Sequence, residues 1–318
     1  MESQIRRRGS PPPDSTDPNP DISDSSTLLQ KAKTEALLLF DDLPEWAKDN
    51  EHIHSGWRPQ SNSYLECLQS LAYVHNESGN IYTHFFAAVF MVISGLWWKE
   101  YANKSYPATG SDDAVIFSLF FAGGIICFLL STAYHLFSNH SHTTHLFCLK
   151  LDFMGILTVI AGCFPPGVWY TFPCAERRVK VMWIALNLTL LSLAALLALF
   201  SQTFQAPKMR PLRGIIFSLL ASSAFYPIII KIFQIGWARA DAEYGASLYA
   251  AAIVIYLCSV TIYALRVTEA WRPGGFDIWG QSHQIFHVGV VVGLMLHFAA
   301  FWRGVDYFYG VEGGQCLG

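Results

Sequence analysis

From about residue 80 onward the chain alternates long apolar runs with short polar stretches. Runs near 80–98, 114–135, 149–172, 181–201, 214–234, 245–265 and 283–303 each offer about 17–25 residues, enough for an α-helix to cross about 30 Å of hydrocarbon. The pattern predicts an all-α integral membrane protein, a seven-transmembrane-helix bundle. The 52% apolar composition would suit a large soluble domain; the length of the uninterrupted runs excludes one. Polar breaks inside some runs leave six or eight crossings as alternatives, whereas seven put the two ends of the chain on opposite sides. The first run follows about 80 polar residues instead of a short basic leader, and no usual cleavage pattern precedes the rest, so it is expected to remain as a helix. Pro165-Pro166 in the third run and Pro227 in the fifth are expected to interrupt their helices, either bordering a cavity or only shaping the packing.

Ahead of the runs, residues 1–33 carry Arg6-Arg7-Arg8, Pro11-Pro12-Pro13 and a Ser/Asp/Pro-rich tract, and are read as a disordered tail. Residues 34–79 read as an interfacial region that covers part of an 80–303 membrane domain, with 304–318 as a short tail on the far side. The first 60 residues hold 11 Asp and Glu against 7 Lys and Arg, so no basic field for nucleic acid is present. Basic residues occur in loops on both faces, around Arg177, Arg178 and Lys180 and around Lys208, Arg210 and Arg213; a positive-inside argument therefore assigns no orientation. The seven cysteines do not identify a disulfide scaffold, since Cys127, Cys148, Cys163 and Cys258 fall in or beside apolar runs and suit packing. Asn103-Lys104-Ser105 is a glycosylation acceptor if its loop faces the exterior or lumen.

Candidate chemistry collects at one membrane face. Ser131 and His135 lie four positions apart at the end of the second run, on one helical face. Asp152 follows near the start of the third run after a short return loop, and His283 and His287 open the seventh with the same four-residue spacing. Three imidazoles suit Zn(II), leaving a fourth position for water, and a nearby carboxylate can bind that water or accept its proton. The competing reading is a structural polar network in which each ring pairs with a hydroxyl, carbonyl or carboxylate. For Asp152 the alternatives are handling zinc-bound water, a structural hydrogen bond or direct ligation; for Ser131 they are oxyanion stabilisation or helix packing. Tyr134 points away from the Ser131/His135 face and reads as interfacial packing. His75, Asn76, Glu77 and Asn80 form either a polar entrance network at the first helix or an anchor for helix ends, within reach of His84. His140, His142 and His145 read as a solvated loop, and His297 lies too far along its helix to be a fourth ligand, contacting instead a substrate or a core hydroxyl.

Glu51-His52-Ile53-His54-Ser55-Gly56-Trp57-Arg58, then His75 through His84, Ser131 through His135, Lys150 through Gly155, Phe276-Asp277 and Gly280 through His287 together carry a family resemblance. Over about residues 45–303 the chain resembles the progestin and adiponectin receptor family, related to haemolysin III-like membrane proteins, with a fungal member the expectation. The resemblance implies zinc on His135, His283 and His287, Ser131 and Asp152 in the adjacent polar shell, a cytosolic N-terminus and an exterior or luminal C-terminus, in the plasma membrane or the endoplasmic reticulum. The activity expected with it is that of a zinc-dependent lipid-amide hydrolase, ceramidase-like and coupled to receptor signalling. Its expected partners are a membrane lipid such as ceramide, a fatty acid or a sterol, and an extracellular protein ligand. The alternatives are a non-enzymatic receptor and a regulator of lipid, sterol and metal homeostasis. A zinc transporter ranks lower, because a compact site at helix ends makes no route across a membrane.

Overall fold

A computed structural model describes residues 37–201 and 206–316; the 1–33 segment expected to be a disordered tail lies outside the described residues. Every expected apolar run is a helix: α1 Ser78–Ser105, α2 Ser111–Phe137, α3 His142–Thr171, α4 Arg177–Phe200, α5 Arg210–Ile235, α6 Ala246–Leu265 and α7 Ser282–Val305. Among the described residues seven helices are long and apolar enough to cross a membrane. The outer surface agrees: Phe86, Ile93 and Leu96 of α1 are 62%, 61% and 65% exposed, an apolar belt that water would not tolerate and acyl chains would. The protein is a multi-pass membrane protein.

Helix ends are set by local polar groups. Ser141 accepts the Thr144 N–H and starts α3, while the Asp113 carboxylate accepts the Gly110 N–H at 2.9 Å and starts α2. The two proline sites behave differently. α3 runs unbroken through Pro165 and Pro166, contrary to the expected interruption; the bundle around it tolerates two missing N–H donors. α5 is interrupted as expected: Arg210–Ser222 and Tyr226–Ile235 are joined by a 3-10 turn at Ser223–Phe225. Pro227 falls in the first turn of the second half, where its missing N–H breaks no intrahelical bond.

α2 and α3 pack backbone against backbone. A Cβ on Gly162 would meet the Leu119 carbonyl oxygen at 2.6 Å, one on Gly123 the Thr158 carbonyl oxygen at 2.7 Å, and one on Gly155 the Cys127 backbone at 3.1 Å. Small residues at such crossings let helix backbones touch, which is how membrane helices associate without a hydrophobic driving force. This seam fixes Ser131 and His135 on α2 relative to Asp152 on α3. On α7, Gly289 and Gly293 likewise admit the Ser259 and Tyr256 side chains of α6.

The face of the bundle away from the histidines is closed by the C-terminal segment. α7 ends at Val305 and continues into a π-helical turn, Asp306–Val311. Cys316 then pairs with Cys174 of the α3–α4 loop, a disulfide that the cysteine pattern did not reveal. Asp113 accepts hydrogen bonds from Tyr170 at 2.8 Å and Tyr309 at 2.7 Å, and Asp306 accepts from Tyr106 at 2.9 Å. Residues 306–316 are thus tied to the bundle by hydrogen bonds and a disulfide.

Because backbone carbonyls cannot swing aside, Gly162→Val is expected to destabilise the bundle by about 1–3 kcal/mol. Gly110→Ala, whose Cβ meets nothing within 4 Å, should change stability by less than about 0.5 kcal/mol. Thermal unfolding of the two purified variants checks this; equal behaviour of both would rule out the seam as a packing constraint.

Candidate metal centre

Residues 37–77 lie across the histidine-bearing face. Asp277 anchors them, accepting from the His54 N–H at 2.8 Å and the Ser55 hydroxyl at 2.6 Å. Arg58, buried at 5% exposure, donates to the carbonyl oxygens of His135 at 2.6 Å and Leu136 at 3.0 Å and to the Ser70 hydroxyl at 2.8 Å. A cation on the last carbonyls of a helix offsets both their unpaired state and the negative end of the dipole. Arg58 thereby fixes the end of α2 that carries His135. At the start of α7, Glu269 accepts from the Ser282 N–H at 2.8 Å, the Ser282 hydroxyl at 2.5 Å, Thr268 at 2.7 Å and Asn50 at 3.1 Å. Burial works against this carboxylate, but the hydrogen bonds from Ser282 and Thr268 outweigh it and hold its pKa below the usual carboxylate range.

Between these two anchored helix ends the three imidazoles converge. The rings of His135, His283 and His287 have centroids 4.8–4.9 Å apart and interplanar angles of 70–82°, and one nitrogen from each lies within 4.8 Å of the other two. The tautomers follow from the neighbours. Glu77 can only accept, so His135 Nδ1–H donates to its Oε2 at 2.7 Å, which leaves His135 Nε2 bare; that atom is buried with no hydrogen-bond partner among the described residues. The Asn80 carbonyl oxygen likewise takes the His287 Nδ1–H at 3.2 Å and directs its Nε2 inward. Orientation of ligating rings by a carboxylate and a carbonyl is the support that metal-binding histidines need. The residues present fit a divalent ion.

The other expected residues divide. Ser131 is buried beside the trio, and Asp152 interacts with the Ser131 side chain and with His135; Asp152 stands outside the group whose ligand atoms converge. The entrance network resolves into separate parts. Glu77 accepts from the Asn80 amide at 2.7 Å as well as from His135, and so supports the trio directly. The Asn76 carbonyl accepts from Gln281 at 3.1 Å and ties α1 to the loop before α7. Burial, with Arg58 nearby, pushes the pKa of His75 down to about 3, and its Nδ1 accepts the Glu77 N–H at 3.1 Å. His84 stacks on His287 with centroids 3.6 Å apart and rings 6° from parallel.

Two expectations are corrected. Tyr134 packs edge-on to His135 at 4.9 Å and lines the central cavity; the wall reaches around the helix further than the Ser131/His135 face. His142 and His145 belong to the first turns of α3 and each lies 5.5 Å from Trp46, so they are helical and in ring contact instead of standing in a loop, with His142 still exposed. Sequence reasoning missed Glu77 as the partner of His135, although a carboxylate at the start of α1 was already placed at this face. It also missed Cys174 and Cys316, whose shared face follows from the crossing count.

Opening from the trio is a cavity of about 790 Å³. Asp152, Tyr134 and Arg210 border it near the trio, and Phe225, Tyr256 and His297 line it farther into the bundle. Arg210 stacks 4.2 Å over the Tyr263 ring and reaches Asp49 at 3.7 Å.

Fold and site together define a heptahelical membrane protein with a buried histidine cluster at one end of its helices. Residues 72–298 match the family described as Haemolysin-III related, and the chain belongs to that family. It is 32% identical to the Adiponectin receptor protein of Drosophila melanogaster over 81% of this chain and 57% of that protein. It is 35% identical to the Progestin and adipoQ receptor-like protein 1 of Caenorhabditis elegans over 82% and 59%, and 31% identical to the ADIPOR-like receptor IZH1 of Eremothecium gossypii over 85% of each. The chain thus spans under three fifths of the length of the fly and nematode relatives and most of the fungal one.

Metal analysis of the purified chain is expected to find one equivalent of a divalent ion, lost in His135→Ala and His287→Ala. Glu77→Gln should keep the fold and weaken metal affinity about 10–100-fold. A folded wild type free of metal after growth in metal-replete medium would refute the site.

Proposed function

We propose that this protein is a zinc-dependent hydrolase of lipid amides, ceramidase-like, with turnover coupled to receptor signalling. The observation that carries this reading is the juxtaposition of three converging imidazoles, a carboxylate and a hydroxyl at the mouth of a lipid-sized cavity. His135, His283 and His287 would hold the ion, which when bound supplies Lewis acidity and makes water a nucleophile near neutral pH. Asp152 accepts the proton of the attacking water and returns it to the leaving nitrogen, so that amide and water become a carboxylic acid and an amine. The Ser131 hydroxyl, which has one proton to give, turns from Asp152 to the carbonyl oxygen and donates to it as negative charge develops. The apolar wall farther in receives the acyl chain and keeps water from the reacting end.

A second reading, a non-enzymatic receptor or a regulator of lipid, sterol and metal homeostasis, has its own support. His135 belongs to α2 while His283 and His287 belong to α7, so an ion there would tie two helices whose packing a lipid or an extracellular protein ligand can shift. The relatives named as receptors favour it as well.

For orientation, the Cys174–Cys316 pair carries the argument. Disulfides persist in oxidising compartments, which supports the reading of a disulfide face at the exterior or lumen and a histidine face, with the N-terminal segment, in the cytosol of a plasma-membrane or endoplasmic-reticulum protein.

Purified wild type is expected to release fatty acid from a ceramide. Asp152→Asn should lower that rate by about a hundredfold or more with metal content retained. Zinc-loaded wild type that binds ceramide and yields no fatty acid across a broad pH range would leave the receptor reading standing. In sealed vesicles, cytosolic protease should remove the N-terminal segment, while maleimide should label Cys174 and Cys316 only from the luminal side after reduction. Labelling of both cysteines from the cytosol without reductant would reverse the orientation.

A further inference from the structure

Deep in the cavity, away from the trio, His297 sets an imidazole among aromatic rings. His297 lies ten positions beyond His287 on α7, about 15 Å farther along the helix at about 1.5 Å per residue. His283, His287, Val290 and His297 share one face of α7 by their spacing, and all four line the cavity. His297 is 1% exposed, and its Nε2 has no hydrogen-bond partner among the described residues. Its ring lies 5.3 Å from Phe225 and 4.9 Å from Tyr249, and the Phe225 ring in turn lies 6.4 Å from Tyr256. The position calls for an aromatic or aliphatic side chain on packing grounds alone. Buried polar groups are paired in native proteins unless a ligand or water completes them; of the other buried histidine nitrogens without a partner among the described residues, those of His84 belong to a ring stacked on His287 and His135 Nε2 belongs to the trio.

We propose that His297 is a second polar recognition point in the lipid cavity, selecting chains that carry a hydroxyl or other neutral oxygen at mid-length. The proposal rests on the reading that a lipid occupies the cavity with its head at the histidine trio. An imidazole donates from one nitrogen and accepts at the other, so it pairs with a hydroxyl in either sense, whereas a plain hydrocarbon chain leaves it unsatisfied. The separation of about 15 Å makes it a selector among long-chain lipids and irrelevant to short ones. The trio thereby sets which head group reacts or binds, and His297 sets which chain fits.

The test is competition of oleate and ricinoleate, which differ by one mid-chain hydroxyl, against a fluorescent fatty acid on the full-length protein in detergent. Wild type should prefer ricinoleate by about tenfold, the value of one hydrogen bond. His297→Phe, which keeps the ring and removes both nitrogens, should bring the ratio close to the micelle-partition difference while still binding oleate. Equal affinities in wild type, or a preference unchanged in His297→Phe, would overturn the role of His297 and leave the lipid reading intact. Failure of either fatty acid to displace the probe would overturn both. Should the variant not fold, a series of hydroxyoctadecanoates on wild type decides: affinity should peak with the hydroxyl at mid-chain, and a flat series rejects the proposal.

Discussion

Three imidazoles drawn from two helices must share one small volume at the end of a bundle, and much of the architecture can be understood as the means of holding them there. Their nitrogens converge within 4.8 Å, a spacing that side-chain rotamers alone do not maintain. Arg58 fixes the last carbonyls of α2, Glu269 fixes the first N–H of α7, and Glu77 and the Asn80 carbonyl turn two of the rings. Each is a charged or strongly dipolar group placed where a helix end or a ring N–H lacks a partner, so the supporting shell satisfies backbone and site at once. The N-terminal segment supplies Arg58 and Asn50, which makes it part of the site and not an appendage.

The bundle divides its two ends between different tasks. At one end, buried charges and imidazoles border a cavity continuous with the apolar interior. At the other, Asp113 and Asp306 gather tyrosine hydroxyls and a disulfide secures the chain beyond α7. A covalent link there restrains α3, α4 and α7 together, while the histidine end is held among the described residues by hydrogen bonds, ion pairs and ring contacts.

Between the ends, the α2–α3 glycine seam is the shared reference. It brings backbones together at Gly155 and Gly162 against Cys127, Gly123 and Leu119, and the same two helices carry Ser131, His135 and Asp152. Small residues within the bundle thus set polar geometry at its end. The continuity of α3 through Pro165 and Pro166 belongs to the same logic: the surrounding helices keep it in line where an isolated helix would kink.

The sequence located all seven spans, because hydropathy acts over lengths that the bilayer fixes, but left ends such as Ser105 of α1 and His142 of α3, where polar residues extend the helices, about two turns short. It also singled out His135, His283 and His287, since four-residue spacing and crossing count put polar side chains at one face before any contact was known. Contacts between elements far apart in the chain belong to tertiary structure. Glu77 became the partner of His135, Tyr134 became a cavity wall, and His142 and His145 came into ring contact with Trp46. Cys174 and Cys316, 142 residues apart, meet only because α3, α4 and α7 end on the same side. Periodicity says which face of a helix a residue occupies, while the rotation and depth of neighbouring helices decide what that face meets.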